Sequence, residues 1–296
     1  MKKEKCNLVL AGGGIKGSFT LGAIEEILKK YDIEAITGSS VGALIGIYLA
    51  NGKFELLKKY FLDVKKLEEL FNESHQFGIL ESILFRSSLY RNEKVKKTIE
   101  NDIDFSKWVS KFGITWTDIK RKEKVESLIS EENVNYSLLI EWITASMAFS
   151  PAFPIVKTKR RINNELVDTY GYDGVYSDGI PVETLIKLTN NFQSEAKKTF
   201  IVLCSNSGSD SSKNDFIPKN ILENYLDSVE SLFNNIADLN VKYGKLKYWQ
   251  QNENHEFKII MPQISIMKNT LDFNLERIIR NLEYGKRTAF QILTQN

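Results

Sequence analysis

The chain has 296 residues, of which 42% are apolar and 26% charged, and its net charge is +2. That length supports a sizeable buried core and the composition is that of an ordinary globular protein, while the near-neutral charge gives no support to a polyanion-binding role. Only two cysteines, Cys6 and Cys204, are present, which excludes a disulfide framework and fits buried free thiols in a reducing compartment.

The start, "MKKEKCNLVLAGG", carries a basic cluster and then an apolar run of only about five residues, shorter than a signal-peptide core. Cys6 lies before that run, so a lipoprotein cleavage site does not fit. No stretch approaches about 18 apolar residues, so no membrane-spanning helix is expected. The expected location is the cytoplasm, with any lipid contact peripheral.

Residues 7–11 read as a buried strand, 18–30 as an amphipathic helix, 33–37 as a second strand and 41–50 as a helix apolar nearly all round. Strand, glycine loop, helix, strand, sharp turn and helix in that order begin a parallel α/β sheet. Residues 51–110 read as a helical insertion with charged helical patterns. "FGITWTDI" and "KVESLI" read as strands, and 137–149 as a helix stopped by Pro151 and Pro154. "KTKRR" at 157–161 reads as a solvated loop or strand edge rather than a lipid or nucleic-acid patch. "YGYDGVYSDGIP" reads as a glycine-rich turn and "TFIVLCS" as a buried strand. Residues 216–250 read as a helical cap or flank, with Leu222, Leu226, Val229, Phe233 and Ile236 at helical spacing. "HEFKIIMPQISI" reads as a last strand and "LERIIRNLEYGKRTAFQIL" as a closing helix. With no repeat and no linker, 1–296 reads as one domain.

Two glycine motifs carry chemistry. Gly12-Gly13-Gly14-Ile15-Lys16-Gly17 satisfies the dinucleotide fingerprint between a strand and a helix. A dinucleotide site also wants a carboxylate at the end of the second strand. That strand ends instead in "ITGSS", and Gly38-Ser39-Ser40-Val41-Gly42 forms G-x-S-x-G, the pattern of a serine on a tight strand-to-helix turn. Ser40 is its centre; Ser39 is not. Both loops end parallel strands, where such sheets place their sites, so the first loop brings backbone N–H groups near Ser40 as an oxyanion hole. Lys16 reads as a solvated loop residue, with contact to a phosphate headgroup the weaker reading. Idle glycine turns in an inert binding module are the bland alternative.

A serine nucleophile needs a base. The order Ser40, Asp173, His255 fits an α/β-hydrolase triad, but the serine follows a single strand–helix unit, too early for that fold. His255 stands among polar residues at a strand entrance and reads as a surface histidine, as does His75. A carboxylate acting directly is the remaining choice, and Asp173-Gly174 and Asp178-Gly179 both offer one.

These segments together resemble the bacterial-type patatin-like phospholipase family. Its G-G-G-x-[RK]-G loop appears as Gly12–Gly17, and its G-x-S-x-G elbow as Gly38–Gly42 at the family's short spacing. Its "ASxAxPxxFP" segment appears as "ASMAFSPAFP" within 144–154, with Ser150 in place of a proline. Its D-G-[GA]-x-x-x-N-x-P turn appears as "DGVYSDGIP", 173–181, with Val175 and Gly179 departing from the pattern. Pro181 then stands at the required distance from Asp173, so the resemblance assigns the catalytic aspartate to Asp173. It implies a three-layer α/β/α fold with a mainly parallel central sheet, and a Ser40–Asp173 dyad without histidine. It implies an oxyanion loop of Gly12, Gly13, Gly14, Ile15 and Gly17, with Gly38 and Gly42 flanking the serine. The implied activity is hydrolysis of acyl esters of phospholipids and related lipids, with no metal or cofactor.

Overall fold

The computed structural model describes residues 3–63, 91–129, 135–150, 152–163, 165–205 and 255–295. Strand β1 (Glu4–Leu10) leads through a 3-10 turn (Gly14–Lys16) into helix α1 (Gly17–Lys30). Then follow β2 (Tyr31–Ser39), α2 (Val41–Ala50), α3 (Phe54–Leu62) and α4 (Glu93–Asp102). A hairpin, β3 (Lys111–Asp118) and β4 (Glu123–Ile129), precedes α5 (Tyr136–Ser146) and a second hairpin, β5 (Val156–Ile162) and β6 (Glu165–Tyr172). The chain continues through α6 (Val175–Asp178), α7 (Val182–Phe192), β7 (Lys198–Val202), β8 (Glu256–Ile260) and α8 (Leu275–Thr294). No helix among the described residues is long and apolar enough to cross a membrane.

The eight strands form one mixed sheet in the order β5-β6-β3-β2-β1-β7-β8, with β4 also paired to β3. From β3 to β8 along that order every pairing is parallel, while β4, β5 and β6 are joined antiparallel. The mainly parallel sheet expected from the first 50 residues is therefore its centre, and the antiparallel hairpins extend it. Side chains alternate across the central strand. Leu8 and Leu10 enter the larger core with α1, α2 and α4, whereas Val9 and Ala11 join Leu185 and Leu188 of α7 on the opposite face. Helices thus cover both faces, and β1 is apolar on each side because neither side meets water. The result is a three-layer α/β/α arrangement.

Local chemistry explains the boundaries. The Asn135 side chain accepts the Leu138 amide at the start of α5, and Asn274 accepts the Arg277 amide at the start of α8. Strand β8 stops at Ile260, shorter than the expected run, two residues ahead of Pro262, which cannot donate to a ladder. The "YGYDGVYSDGIP" turn contains the short helix α6. "KTKRR" lies on the edge strand β5, where Arg160 pairs with Asp118 and Glu123 rather than facing an open basic patch. In the region expected as a helical insertion, the hydroxyls of Tyr48 and Tyr60 both donate to Asp102 Oδ2, at 2.6 and 2.9 Å, tying α2, α3 and α4 together. The rest of that insertion, His75 and the flank at 216–250 lie outside the described residues.

One edge of β3 positions the site. Strand β4 pairs with β3 along its length from Phe112 to Asp118. The other edge is shared: β2 occupies it as far as Thr115, and β6 takes Thr117 and Asp118. Strand β6 runs antiparallel and ends at Tyr172, so the chain emerging from it arrives just beyond the end of β2. Asp118 anchors this handover. Its wholly buried carboxylate accepts from Thr169 Oγ1 (2.6 Å), Arg160 Nη1 (3.0 Å) and the amides of Lys120 and Arg121. Burial alone would raise this carboxyl, but those bonds outweigh it and hold it below the usual carboxylate range. Asp118→Asn should lower stability by about 2–4 kcal/mol, because Arg160 loses its buried partner. Urea unfolding measures it; an unshifted midpoint would mean that backbone pairing alone holds the edge.

Candidate active site

Strand β2 ends at Ser39 and helix α2 begins at Val41, leaving a single residue for the turn. Ser40 adopts φ 53° and ψ −126°, a conformation that costs a non-glycine residue on the order of 1–3 kcal/mol. Three bonds hold it there. Its amide donates to Ser146 Oγ (2.9 Å), and Ser146 Oγ donates onward to Thr115 O (2.6 Å). Its carbonyl accepts the Ala43 and Leu44 amides of the first turn of α2. Close packing sets the flanking residue, since a Cβ on Gly42 would stand 2.2 Å from Leu10 O.

Asp173 follows β6 immediately. Its carbonyl accepts from Thr117 Oγ1 (2.9 Å), and its amide donates to Ala148 O (3.2 Å). So fixed, its carboxylate meets the serine: Ser40 Oγ donates to Asp173 Oδ2 at 2.6 Å, and the Val175 amide donates to Oδ1 at 2.9 Å. Asp173 is wholly buried. Burial pushes its carboxyl up to about 7, against the pull of Ser40 and the Val175 amide, which favour the charged form. Asp178 turns elsewhere and binds Lys124 Nζ at 3.2 Å in a cluster with Glu126 and Glu183. Burial raises it to about 6, with Lys124 opposing.

The glycine loop runs over the same cleft. Four of its amides are engaged: Gly12 donates to Gly179 O (3.1 Å), Ile15 to Thr270 O (3.0 Å), Lys16 to Gly13 O (3.2 Å), and Gly17 to Gly14 O and Ile15 O. The amides of Gly13 and Gly14 have no acceptor among the described residues. Ile15, expected among the free donors, is not one of them. Gly14 has φ +56° and lies so near the 270 turn that a Cβ there would reach within 2.3 Å of Thr270 O. Gly17 packs against Val41. The cleft is bounded by Gly12–Lys16 and Ser40 and continues along α2 past Leu44 and Tyr48, with Leu57, Phe61 and Ile99 opposite. Its walls are mostly apolar.

Other expectations change. Lys16 is 3% exposed and so is not a solvated loop residue. His255 is buried rather than on the surface, bonded to Thr199 Oγ1 at 2.7 Å, and burial lowers it to about 4. Thr199 pairs with Asn7 in β1, so His255 stands about 13 Å down the strands from the loop after Ala11 and cannot serve Ser40. Ser39 is fully buried, its hydroxyl without a partner among the described residues. Cys6 and Cys204 are buried thiols outside any disulfide, as expected, and Cys204 Sγ donates to Ala11 O. Sequence reasoning did not single out Ser146, Thr115 or Thr270; only the "ASMAFSPAFP" resemblance touched the first.

The raised Asp173 has a consequence for stability. Its folded value of about 7 exceeds the ordinary ~3.9 of an unfolded aspartate. Its contribution is therefore complete at acid pH and is lost as pH rises from about 4 to about 7. Asp173→Asn should gain stability relative to the parent across that window, by up to about 1.4 kcal/mol per pH unit. Urea midpoints at the two ends of the window measure this. A difference that does not grow with pH contradicts it.

The family described as patatin-like phospholipase matches residues 8–186. Among solved structures, the crystal structure of VipD from Legionella pneumophila aligns over 99% of this chain and 67% of its own, at 16% identity and a TM-score of 0.47. No curated protein matches the chain. The matched span, more than half of the chain, contains both glycine motifs, Ser40 and Asp173. The chain belongs to the patatin-like phospholipase family.

Proposed function

We propose that the protein is a serine acyl hydrolase that cleaves ester bonds of phospholipids or related lipids with Ser40 as nucleophile and Asp173 as its base. The observation that carries this reading is the 2.6 Å bond from Ser40 Oγ to a wholly buried carboxylate, beside two amides without an acceptor at the head of an apolar cleft. The substrate meets the protein at a lipid surface, by peripheral contact from the cytoplasm.

Ser40 Oγ attacks the ester carbonyl carbon while its proton passes to Asp173 Oδ2. An ordinary aspartate is too weak a base for this at neutral pH; a value near 7 matches the base to its task. The carbonyl oxygen becomes an oxyanion and is held by the Gly13 and Gly14 amides. Collapse breaks the bond to the alcohol oxygen, which leaves with the proton from Asp173. Water then adds to the acyl-enzyme, giving a proton to Asp173. The second collapse frees the fatty acid and returns the proton to Ser40. No step calls on a cofactor. The acyl chain lies along α2, where Leu44 and Tyr48 follow Ser40 at one and two helical turns.

Ser40→Ala and Asp173→Asn should each lower fatty-acid release from phospholipid vesicles, and turnover of a short-chain nitrophenyl ester, by at least about 10²–10³. Asp178→Asn and His255→Ala should retain activity. The kcat/KM of the parent should rise with pH and level off above about 7, because Asp173 must be unprotonated in the free enzyme. Loss of turnover in Asp178→Asn but not in Asp173→Asn would reverse the assignment. Absence of fluorophosphonate labelling at Ser40 in folded protein would favour an inert module.

The cleft makes a separate expectation. Leu44→Trp places an indole one helical turn beyond Ser40 and should shift preference toward short acyl chains by about tenfold or more in kcat/KM ratio. A series of nitrophenyl esters of increasing chain length measures it. An unchanged profile would put the acyl chain elsewhere.

A further inference from the structure

The loop that carries the Gly13 and Gly14 amides is rich in glycine and restrains itself little. Its orientation is set from outside, and most of that restraint comes from residues beyond the family match, which ends at 186. Thr270 O accepts the Ile15 amide at 3.0 Å and closes against Gly14. Asn281 Nδ2 donates to Lys16 O (3.2 Å) and to Ser18 Oγ (2.9 Å), with Asn281 only 3% exposed. The turn bearing Thr270 is locked in its own right. Asp272 accepts the Lys268 amide (2.9 Å) and binds Arg277 through both Nε and Nη2 at 2.6 Å. Asn269 accepts the Leu271 amide at 2.9 Å, and Asn274 caps α8, on which Arg277 and Asn281 stand one turn apart.

Bonds at Ile15 and Lys16 hold the loop directly after Gly13 and Gly14, whose own amides have no acceptor among the described residues. The Asp272–Arg277 pair is bidentate, the geometry that fixes direction as well as distance. We propose that Asn281 and the Asp272–Arg277 pair are positioning residues for the oxyanion amides, so that the segment 268–281 completes a site whose nucleophile and base lie in the first 186 residues. This rests on the reading of Ser40 and Asp173 given above. Thr270, Leu271 and Phe273 of the segment line the cleft, but Asp272, Arg277 and Asn281 do not, and none of these last three bonds the Ser40 or Asp173 side chain. Their effect therefore falls on the transition state, where negative charge develops, and not on binding of the uncharged ester or on the pKa of Asp173.

The test uses Arg277→Gln and Asn281→Leu, with Arg280→Gln on the solvent-facing Glu276 pair as control. End-point fluorophosphonate titration counts functional Ser40, and rates are expressed per titrated site. Both variants should lose about 10- to 100-fold in kcat, with KM for a nitrophenyl ester changed by less than about twofold. A trifluoromethyl ketone, whose hemiketal oxyanion forms on Ser40, should bind more weakly by the same factor. The pH midpoint of kcat/KM should stay where it is in the parent, and Arg280→Gln should match the parent throughout. A purely structural role would lower the titrated fraction and leave kcat per site intact, which overturns the proposal. So does a rise in KM with kcat retained. If Asn281→Leu does not fold, Arg277→Gln decides alone, since its side chain is 30% exposed. A parent protein that titrates no serine removes the catalytic reading and this proposal together; a parent that titrates and turns over beside unaffected variants removes this one only.

Discussion

A strand has two edges, and β3 divides one of them between two neighbours. Strand β2 pairs as far as Thr115 and then turns sharply at Ser40; β6 arrives from the opposite direction and pairs at Thr117 and Asp118. The two chain ends therefore meet at the same gap in the ladder, one carrying a hydroxyl and the other a carboxyl. Nothing local to either segment brings Ser40 and Asp173 together across 133 positions. The bonds from Ser146 to the Ser40 amide and to Thr115 O, and from Thr117 to Asp173 O, close that gap with side chains where no backbone pairing is left to do so.

Dryness gives the pair its character. A carboxylate sealed from water strengthens as a base, and the same burial works against the folded state at neutral pH. Among the described residues, two hydrogen bonds, from Ser40 and the Val175 amide, offset that penalty. Asp178 sits a few residues away, is also buried, and has Lys124 beside it. The contrast separates two aspartates in near-identical Asp-Gly settings: one keeps a cation beside it, while the other has none among the described residues and bonds Ser40 instead.

The glycine motifs were legible because their requirements are local. Three glycines after a strand and a serine between glycines at the next strand end announce tight turns whatever surrounds them, and the parallel centre of the sheet follows from the same fifty residues. The choice between Asp173 and Asp178 was not legible from residue type, since both read as turn signals; it needed the family spacing to Pro181. Lys16 and His255 misled in the same direction. Each stands among polar or glycine residues in the chain, and each is buried by elements distant in sequence. Thr270 and Asn281 gave no signal at all, because one acts through a backbone carbonyl and the other through a single amide reaching back more than 260 positions.

The two departures from the family's aspartate turn share a neighbour. Val175 stands where a small residue is usual, and its Cγ1 lies within 2.4 Å of where a Cβ on Gly12 would sit; Gly179, in place of asparagine, offers its carbonyl to the Gly12 amide. The valine fills the space that the glycine leaves open and lines the cleft that Ser40 also lines. The three positions are therefore coupled by shape: any side chain at residue 12 requires the side chain at residue 175 to move or shrink.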